Sequence, residues 1–239
     1  MISFSITDWL YWGDIFCCQS NIEPIAKRQP DLSNIPAIQR RRLPLVARRI
    51  NQFVLTAKKE NIPTVYFPQQ GEISQTLAII RSYENEVSPA KFSLSVHNAI
   101  AGILSVIHQN KQSYQVIDSL SGGIEMAIVE AVSLLSQHKR VNVVYYDEAL
   151  PQDFRVFYQD GHSGELPSTM VLGLTICQGN DLTLTKQKTT PANKYQLSTD
   201  FSAVQQVADF IRHAEGRILN NHYASCYWQW KRNGNQEKT

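Results

Sequence analysis

Cysteine is scarce in this chain. Four are present, Cys17, Cys18, Cys177 and Cys226, and none is spaced as C-x-x-C. An adjacent pair with two distant thiols makes neither a disulfide framework nor a thiolate metal site, so the expected setting is reducing and cytoplasmic. No apolar run reaches the roughly 18 residues that a membrane-spanning helix needs. The opening MISFSITDWLYWGDIFCC is apolar but contains Asp8 and Asp14, and no Lys or Arg precedes Lys27. It therefore lacks the basic start of a secretory leader. A net charge of +2 is too small to argue for nucleic acid as a partner. His162, His213 and His222 show no ligand spacing, so neither a metal nor another cofactor is expected.

What remains is an ordinary globular composition: 239 residues, 43% hydrophobic and 18% charged. That length suits one large α/β domain or two small ones. Ile2 to Trp12 reads as a first strand, and Asn21 to Pro36 as a polar connection. Pro44 opens a helix to about Lys59, with Val46, Ile50, Phe53, Val54 and Ala57 on one face. Thr64 to Phe67 is a strand. Ile73 to Tyr83 and Asn98 to Gln109 are helical. Val141 to Tyr146 reads as a buried strand. Met170 to Ile176 and Leu182 to Lys186 read as a pair around the turn Gln178-Gly179-Asn180-Asp181. A helix begins near Asp200, His222 to Trp230 is a last strand, and the end of the chain is polar. Strands alternating with helices imply a mixed, mostly parallel sheet flanked by helices.

The most informative stretch runs from Ser113 to Leu135, SYQVIDSLSGGIEMAIVEAVSLL. Tyr114, Val116 and Ile117 predict a strand. Ile124 to Leu135 predicts a helix with apolar residues around most of its circumference, hence buried nearly all round. Between them lies a tight turn, Asp118-Ser119-Leu120-Ser121-Gly122-Gly123. Ser121 is placed to cap the helix, and the glycines allow a close approach. A strand, a glycine turn and a helix N-terminus form the kind of elbow on which enzymes present a nucleophile, with free N–H groups for an oxyanion. The alternative is a tight packing turn.

Other residues compete for a role. Arg40, Arg41, Arg42, Arg48 and Arg49, with Lys58 and Lys59 beyond, suit docking of an acidic partner such as an acyl carrier protein. They also suit a solvated helix face. Asp147, Glu148 and Asp153 follow a strand end, where a solvated loop is expected over an acid/base pair. His108 and His138 fall at helix ends and are expected in solvent. Ser119-Leu120-Ser121-Gly122-Gly123 approximates G-x-S-x-G without its first glycine. That keeps open a serine hydrolase or acyltransferase with Ser121 as nucleophile, Asp147 as acid and His162 or His222 as base.

Three blocks carry a family resemblance: Arg40-Arg41-Arg42-Leu43-Pro44-Leu45-Val46-Ala47-Arg48, Gly71-Glu72-Ile73-Ser74-Gln75-Thr76-Leu77, and Phe92-Ser93-Leu94-Ser95-Val96-His97-Asn98-Ala99-Ile100-Ala101-Gly102. With the elbow and Tyr145-Tyr146-Asp147-Glu148, the chain over roughly residues 40 to 150 resembles the β-ketoacyl-synthase-like chain-length factors, closest to those of aryl polyene and related type II fatty-acid-like pathways. The resemblance implies a thiolase-like N-terminal half, residues 1–239 as a single domain without the C-terminal half. It implies a non-catalytic subunit that heterodimerises with an active ketosynthase, meets an acyl carrier protein through the complex and shapes the pocket for a growing polyene chain. A ketosynthase needs an elbow cysteine for its thioester. Register on the glycines puts Leu120 at that position, and a shift of one residue puts Ser121 there. Neither is a thiol. The implied partner interface is the strand Ser113, Tyr114, Gln115, Val116, Ile117 and Asp118. Ser95, His97, Leu120 and Ser121 are implied to lie near the acyl pocket, with a hydrogen-bonding role favoured for His97.

Overall fold

The computed structural model describes residues 1–13, 17–19, 30–33, 35–41, 43–56, 61–82, 87–118, 122–151, 169–188, 200–213, 217–223 and 226–234. Three strands set the architecture: β3 (Thr64–Gly71), β5 (Arg140–Asp147) and β6 (Met170–Lys188). Their side chains alternate between two apolar layers, as a pleated strand requires. Val65, Phe67, Val141, Val143, Tyr145, Leu172, Leu174 and Ile176 enter one core with α6 (Gly123–Leu134) and α7 (Asp200–Arg212). Tyr66, Val144, Tyr146 and Val171 enter the other, with α2 (Leu45–Thr56) and α5 (Ala99–His108). Strands apolar on both faces need helices on both faces.

The remaining elements attach to this frame. β1 (Ile2–Trp12) pairs antiparallel with β6 and with β2 (Cys17–Gln19). The short helices α1 (Ala37–Arg40), α3 (Ile73–Arg81) and α4 (Pro89–Ser95) lie in the connections. A hairpin of β7 (Ile218–His222) and β8 (Cys226–Arg232) joins the far half of β6 through β8. The main path of the sheet is β2-β1-β6-β5-β3-β4, with β4 (Tyr114–Val116) at one end.

The thiolase-like mixed sheet is present, and parallel pairing is concentrated in β4-β3-β5. The pairs that involve β1, β6, β7 and β8 are antiparallel, so the parallel share is smaller than the alternation of elements implies. Two expectations change. The strand pair around Gln178–Asp181 is one strand of 19 residues. The turn-like residues form a bulge against β1, where Phe4 faces Leu182 but Ser5 faces Cys177. A bulge absorbs the extra residues without ending the strand. The last strand, expected from His222 to Trp230, is a hairpin whose first arm, Ile-Leu-Asn-Asn-His, carries no alternating apolar signal. Its closing bond runs from the Tyr223 N–H to the Cys226 carbonyl, 2.8 Å. Lys58 and Lys59 lie outside the described residues.

Gly173 shows how closely α2 is pressed on the sheet. A Cβ at that position would come within 2.5 Å of the Phe53 ring. Overpacking of this kind costs about 1–3 kcal/mol. Gly173→Ala is therefore expected to lower unfolding stability by about that amount in urea titration, with an unchanged m value; a neutral substitution would show that α2 can retreat.

Candidate functional site: the elbow and the open sheet edge

β4 enters the site region as an edge strand. The Thr64 N–H donates to the Ser113 carbonyl at 3.2 Å, and the Ile117 N–H donates to the Tyr66 carbonyl at 3.0 Å. In a parallel ladder successive residues point their backbone groups to opposite sides. Tyr114 and Val116 therefore aim theirs at the open edge, where no described strand pairs with them. Tyr114 is exposed and its phenol lies along α5, 3.6 Å from where a Cβ of Gly102 would be. Val116 is half-buried and packs on the α2–α5 core, while Ile117 packs on the α6–α7 core.

Beyond Asp118 the chain turns into α6. Ser119, Leu120 and Ser121 lie outside the described residues. The N-cap position of α6 is taken by Gly122, and among the described residues no side chain caps this end. Gly122 and Gly123 have φ of 149° and 55°, values that glycine alone adopts freely. Ile124, Ala127, Ile128 and Ala131 are fully buried on α6, whereas Met126, Val129 and Val132 are only partly covered. The helix is thus less enclosed than its composition implies.

Its first turn carries a residue that sequence reasoning missed. Glu125 has no exposed surface. It accepts hydrogen bonds from Asn221 Nδ2 at 2.5 Å, Tyr223 Oη at 2.9 Å and Trp230 Nε1 at 2.9 Å. Burial pushes its carboxyl pKa up, and these donors pull it back. The only sequence signal was an acidic residue inside an otherwise apolar helical face.

A second acidic group lies at the ends of β3 and β5. Asp147 Oδ1 accepts the backbone N–H groups of Gln69, Gln70 and Gly71 at 3.1, 2.7 and 2.7 Å, and Oδ2 accepts the Tyr145 hydroxyl at 2.6 Å. Glu148 accepts the backbone N–H of Ser74 at 3.2 Å and also its hydroxyl. The expectation of a solvated loop is wrong for Asp147: the β3 terminus folds back over it and buries it. Asp153 lies outside the described residues. Among the described residues, no partner of Asp147 is the histidine that the hydrolase reading requires; His162 is not described, and His222 stacks on Tyr227 with ring centroids 5.2 Å apart.

The other expected residues are scattered. Ser95 donates to the Phe92 carbonyl within its own helix, and His97 is exposed in the turn before α5. His108 is half-buried rather than solvated, and burial lowers its pKa. In the arginine cluster, Arg49 is 5% exposed with its guanidinium 4.6 Å from the Trp12 ring centroid. Arg48 donates to the Leu43 carbonyl at 2.9 Å. Arg40 and Arg41 remain exposed, and Arg42 is not described. Arg49, being buried against Trp12, is not available to dock a partner. Among the described residues, no helix is long and apolar enough to cross a membrane.

The chain matches the family described as beta-ketoacyl synthase, N-terminal domain, over residues 9–231, and it belongs to that family. No curated protein matches it. Among solved structures it is similar to a chain from the complex of the ketosynthase ApeO with its chain length factor ApeC from Xenorhabdus doucetiae, at TM-score 0.74 and 19% identity over 97% of this chain and 100% of that one. It is also similar to a chain of the ishigamide ketosynthase/chain length factor, at TM-score 0.56 and 13% identity over 78% of this chain and 68% of that one.

The acidic group sets a pH dependence. Burial, then repulsion from Glu148, pushes Glu72 from 4.5 to about 8, and burial pushes Asp147 from 3.8 to about 6. Both groups hold their protons more tightly folded than unfolded. Their contribution is complete below the unfolded values and is lost as pH rises through the folded ones. Stability should fall between pH 5 and 8, and Glu72→Gln should flatten that fall and raise the melting temperature at pH 8. An equal slope in the variant would show that Glu72 is ionised throughout.

Proposed function

We propose that this chain is a non-catalytic chain-length factor that pairs with an active ketosynthase and shapes the pocket for the growing acyl or polyene chain. The observation that carries the reading is the elbow, in which a strand, a glycine turn and a buried helix are kept while no thiol is present. Leu120 or Ser121 stands where the family's nucleophile falls. The cysteines lie elsewhere: Cys17 and Cys18 in β2 at the opposite end of the sheet, Cys177 in β6 and Cys226 in β8. Without a thiolate the family's acyl thioester has no site to form, so the condensation chemistry belongs to the partner.

The open edge of β4 supports a pairing mechanism. Outward backbone groups at Tyr114 and Val116 offer a ladder to a second strand, and an unpaired edge is a ready template for one. The segment Ser113–Asp118 then forms the centre of the interface. The turn before α5, with Ser95 and His97, and the elbow residues Leu120 and Ser121 flank the partner's acyl pocket. Exposed Arg40 and Arg41 are the better candidates for meeting an acidic carrier protein. The setting is cytoplasmic, as the cysteine usage implies, and the product class is that of aryl polyene-type pathways, as the sequence resemblance implies.

The first test is co-expression with the ketosynthase encoded nearest to it, with mass measured by light scattering after size exclusion. A mixed complex is expected, and a chain that stays monomeric beside that ketosynthase would remove the proposal. The edge itself is tested by Tyr114→Pro. Proline removes the outward N–H at the first residue of β4, where strands tolerate it, and spares the Val116 side chain that packs in the core. The lone variant should melt within a few degrees of the wild type and lose at least about tenfold in recovered complex, the worth of about 1.4 kcal/mol. Full recovery would place the interface elsewhere. Leu120→Ala should leave chain assembly running with an altered product length; total loss of activity in an intact complex would give Leu120 a part in the chemistry.

A further inference from the structure

The geometry points to Glu125 as a positioning residue: with Tyr223 it ties the terminal hairpin to the elbow and fixes the backbone at Gly122 and Gly123. The consequence for chain length rests on the function proposed above; the tie itself is a property of the lone chain.

Two consecutive glycines at positive φ leave the entry of α6 without steric preference of its own. Something outside the turn must hold it. Tyr223 does so from the hairpin. A Cβ on Gly123 would stand 1.9 Å from the Tyr223 hydroxyl and 2.9 Å from Glu125 Oε2. The phenol is therefore wedged against the backbone of the elbow, and Glu125 Oε2 holds it there at 2.9 Å. Glu125 Oε1 takes the other two donors, Asn221 from the end of β7 and Trp230 from the middle of β8. All three side chains come from the hairpin and none carries a charge.

A buried carboxyl surrounded by neutral donors is a costly way to fill a core. Its oxygens, however, accept only where donors are aimed, so it specifies one orientation of hairpin against helix in a way that apolar packing does not. Trp230 extends the same contact into the core, edge-on to Phe4 at 6.0 Å between centroids and to Phe210 at 6.4 Å. The sheet's far end and the elbow are joined through one carboxylate. In the proposed complex this tie sets how far the elbow projects toward the partner's acyl pocket.

The test compares Tyr223→Phe, which removes the hydroxyl and keeps the ring, with Trp228→Phe, a hairpin change outside the contacts of Glu125. Amide hydrogen exchange is followed in the lone chain. Tyr223→Phe should speed exchange at residues 122–126 about tenfold, the scale of one lost hydrogen bond, with β3 and β5 unchanged. Trp228→Phe should leave 122–126 unaffected even where it lowers the melting temperature. Should Tyr223→Phe fail to fold, Glu125→Gln, which keeps the shape and two acceptor contacts, carries the same measurement. Unaltered exchange at 122–126, or equal acceleration by both substitutions, would overturn the tie. With the ketosynthase present, Tyr223→Phe should give the wild-type yield of complex but a broadened product-length distribution. An unchanged distribution would overturn the positioning of the pocket. Failure of the wild-type chain to bind the ketosynthase would instead defeat the proposed function, and the exchange data would still decide the tie.

Discussion

The constraint on which the structure depends is that β3, β5 and β6 are apolar on both faces. Val65 and Phe67 point one way and Tyr66 the other; Val143 and Tyr145 oppose Val144 and Tyr146. Such strands cannot meet water on either side, so two helical layers are obligatory. The layer of α6 and α7 brings the elbow to one end of the parallel strands, and the layer of α2 and α5 seals the opposite face. Gly173 marks the tightest point of that second contact, because Phe53 occupies the space a side chain would need. β4 lies outside the doubly covered region. It is short, its side chains are half-buried or exposed, and it closes the sheet without sealing it.

Three acidic groups are placed inside this frame, and each is handled differently. Asp147 sits in a concave run of backbone N–H groups from Gln69 to Gly71, which suits an anion, yet burial outweighs them and its pKa rises. Glu72, through burial first and Glu148 beside it second, rises further. Glu125 has only neutral donors. Asp147 braces the turn at the end of β3 from which α3 departs, and Glu72 stands at the N-cap position of that helix. The third lies at the entry of α6 and links it to the hairpin. None has a cationic partner among the hydrogen bonds described, so all three oppose their own ionisation, and the fold loses stability as the pH rises through their range.

Much of the frame was legible because periodicity reports burial directly. The β-branched and aromatic run at Val141–Tyr146, the helical face of Val46, Ile50 and Phe53, and the apolar α6 all appear where their patterns place them. Most of the failures have a common physical source in contacts between residues distant in the chain. Gln178–Asp181 has turn composition, but β1 pairs with β6 on both sides of it and carries the strand through as a bulge. Ile218–His222 has little strand character, and its pairing with β8 overrides that. Asp147 looks like a loop acid until the β3 terminus folds over it. Arg49 looks like surface charge until Trp12 lies across it. Glu125 gave no motif at all, since its three donors are roughly a hundred residues away in sequence. The elbow, by contrast, was legible as a composition of strand, glycines and helix, though not its cap, which Gly122 takes in place of Ser121.

The elbow and the open edge are consecutive in the chain, and that adjacency constrains what either can do. β4 ends at Val116 and α6 begins at Gly123. A strand that added to β4 would approach the face from which the chain turns into the helix. Any force on the edge is therefore felt within a few residues by a turn built on glycines. A turn free to yield would absorb that force and transmit little to α6. A turn fixed from behind by Tyr223 would pass it to a helix that is packed on β3, β5 and β6 and already bound to the hairpin. The buried carboxyl thus matters most where the sequence is softest. Stiffness at Gly122 and Gly123 is supplied by tertiary contact rather than by the backbone itself, which leaves those positions open to close approach while keeping them in place.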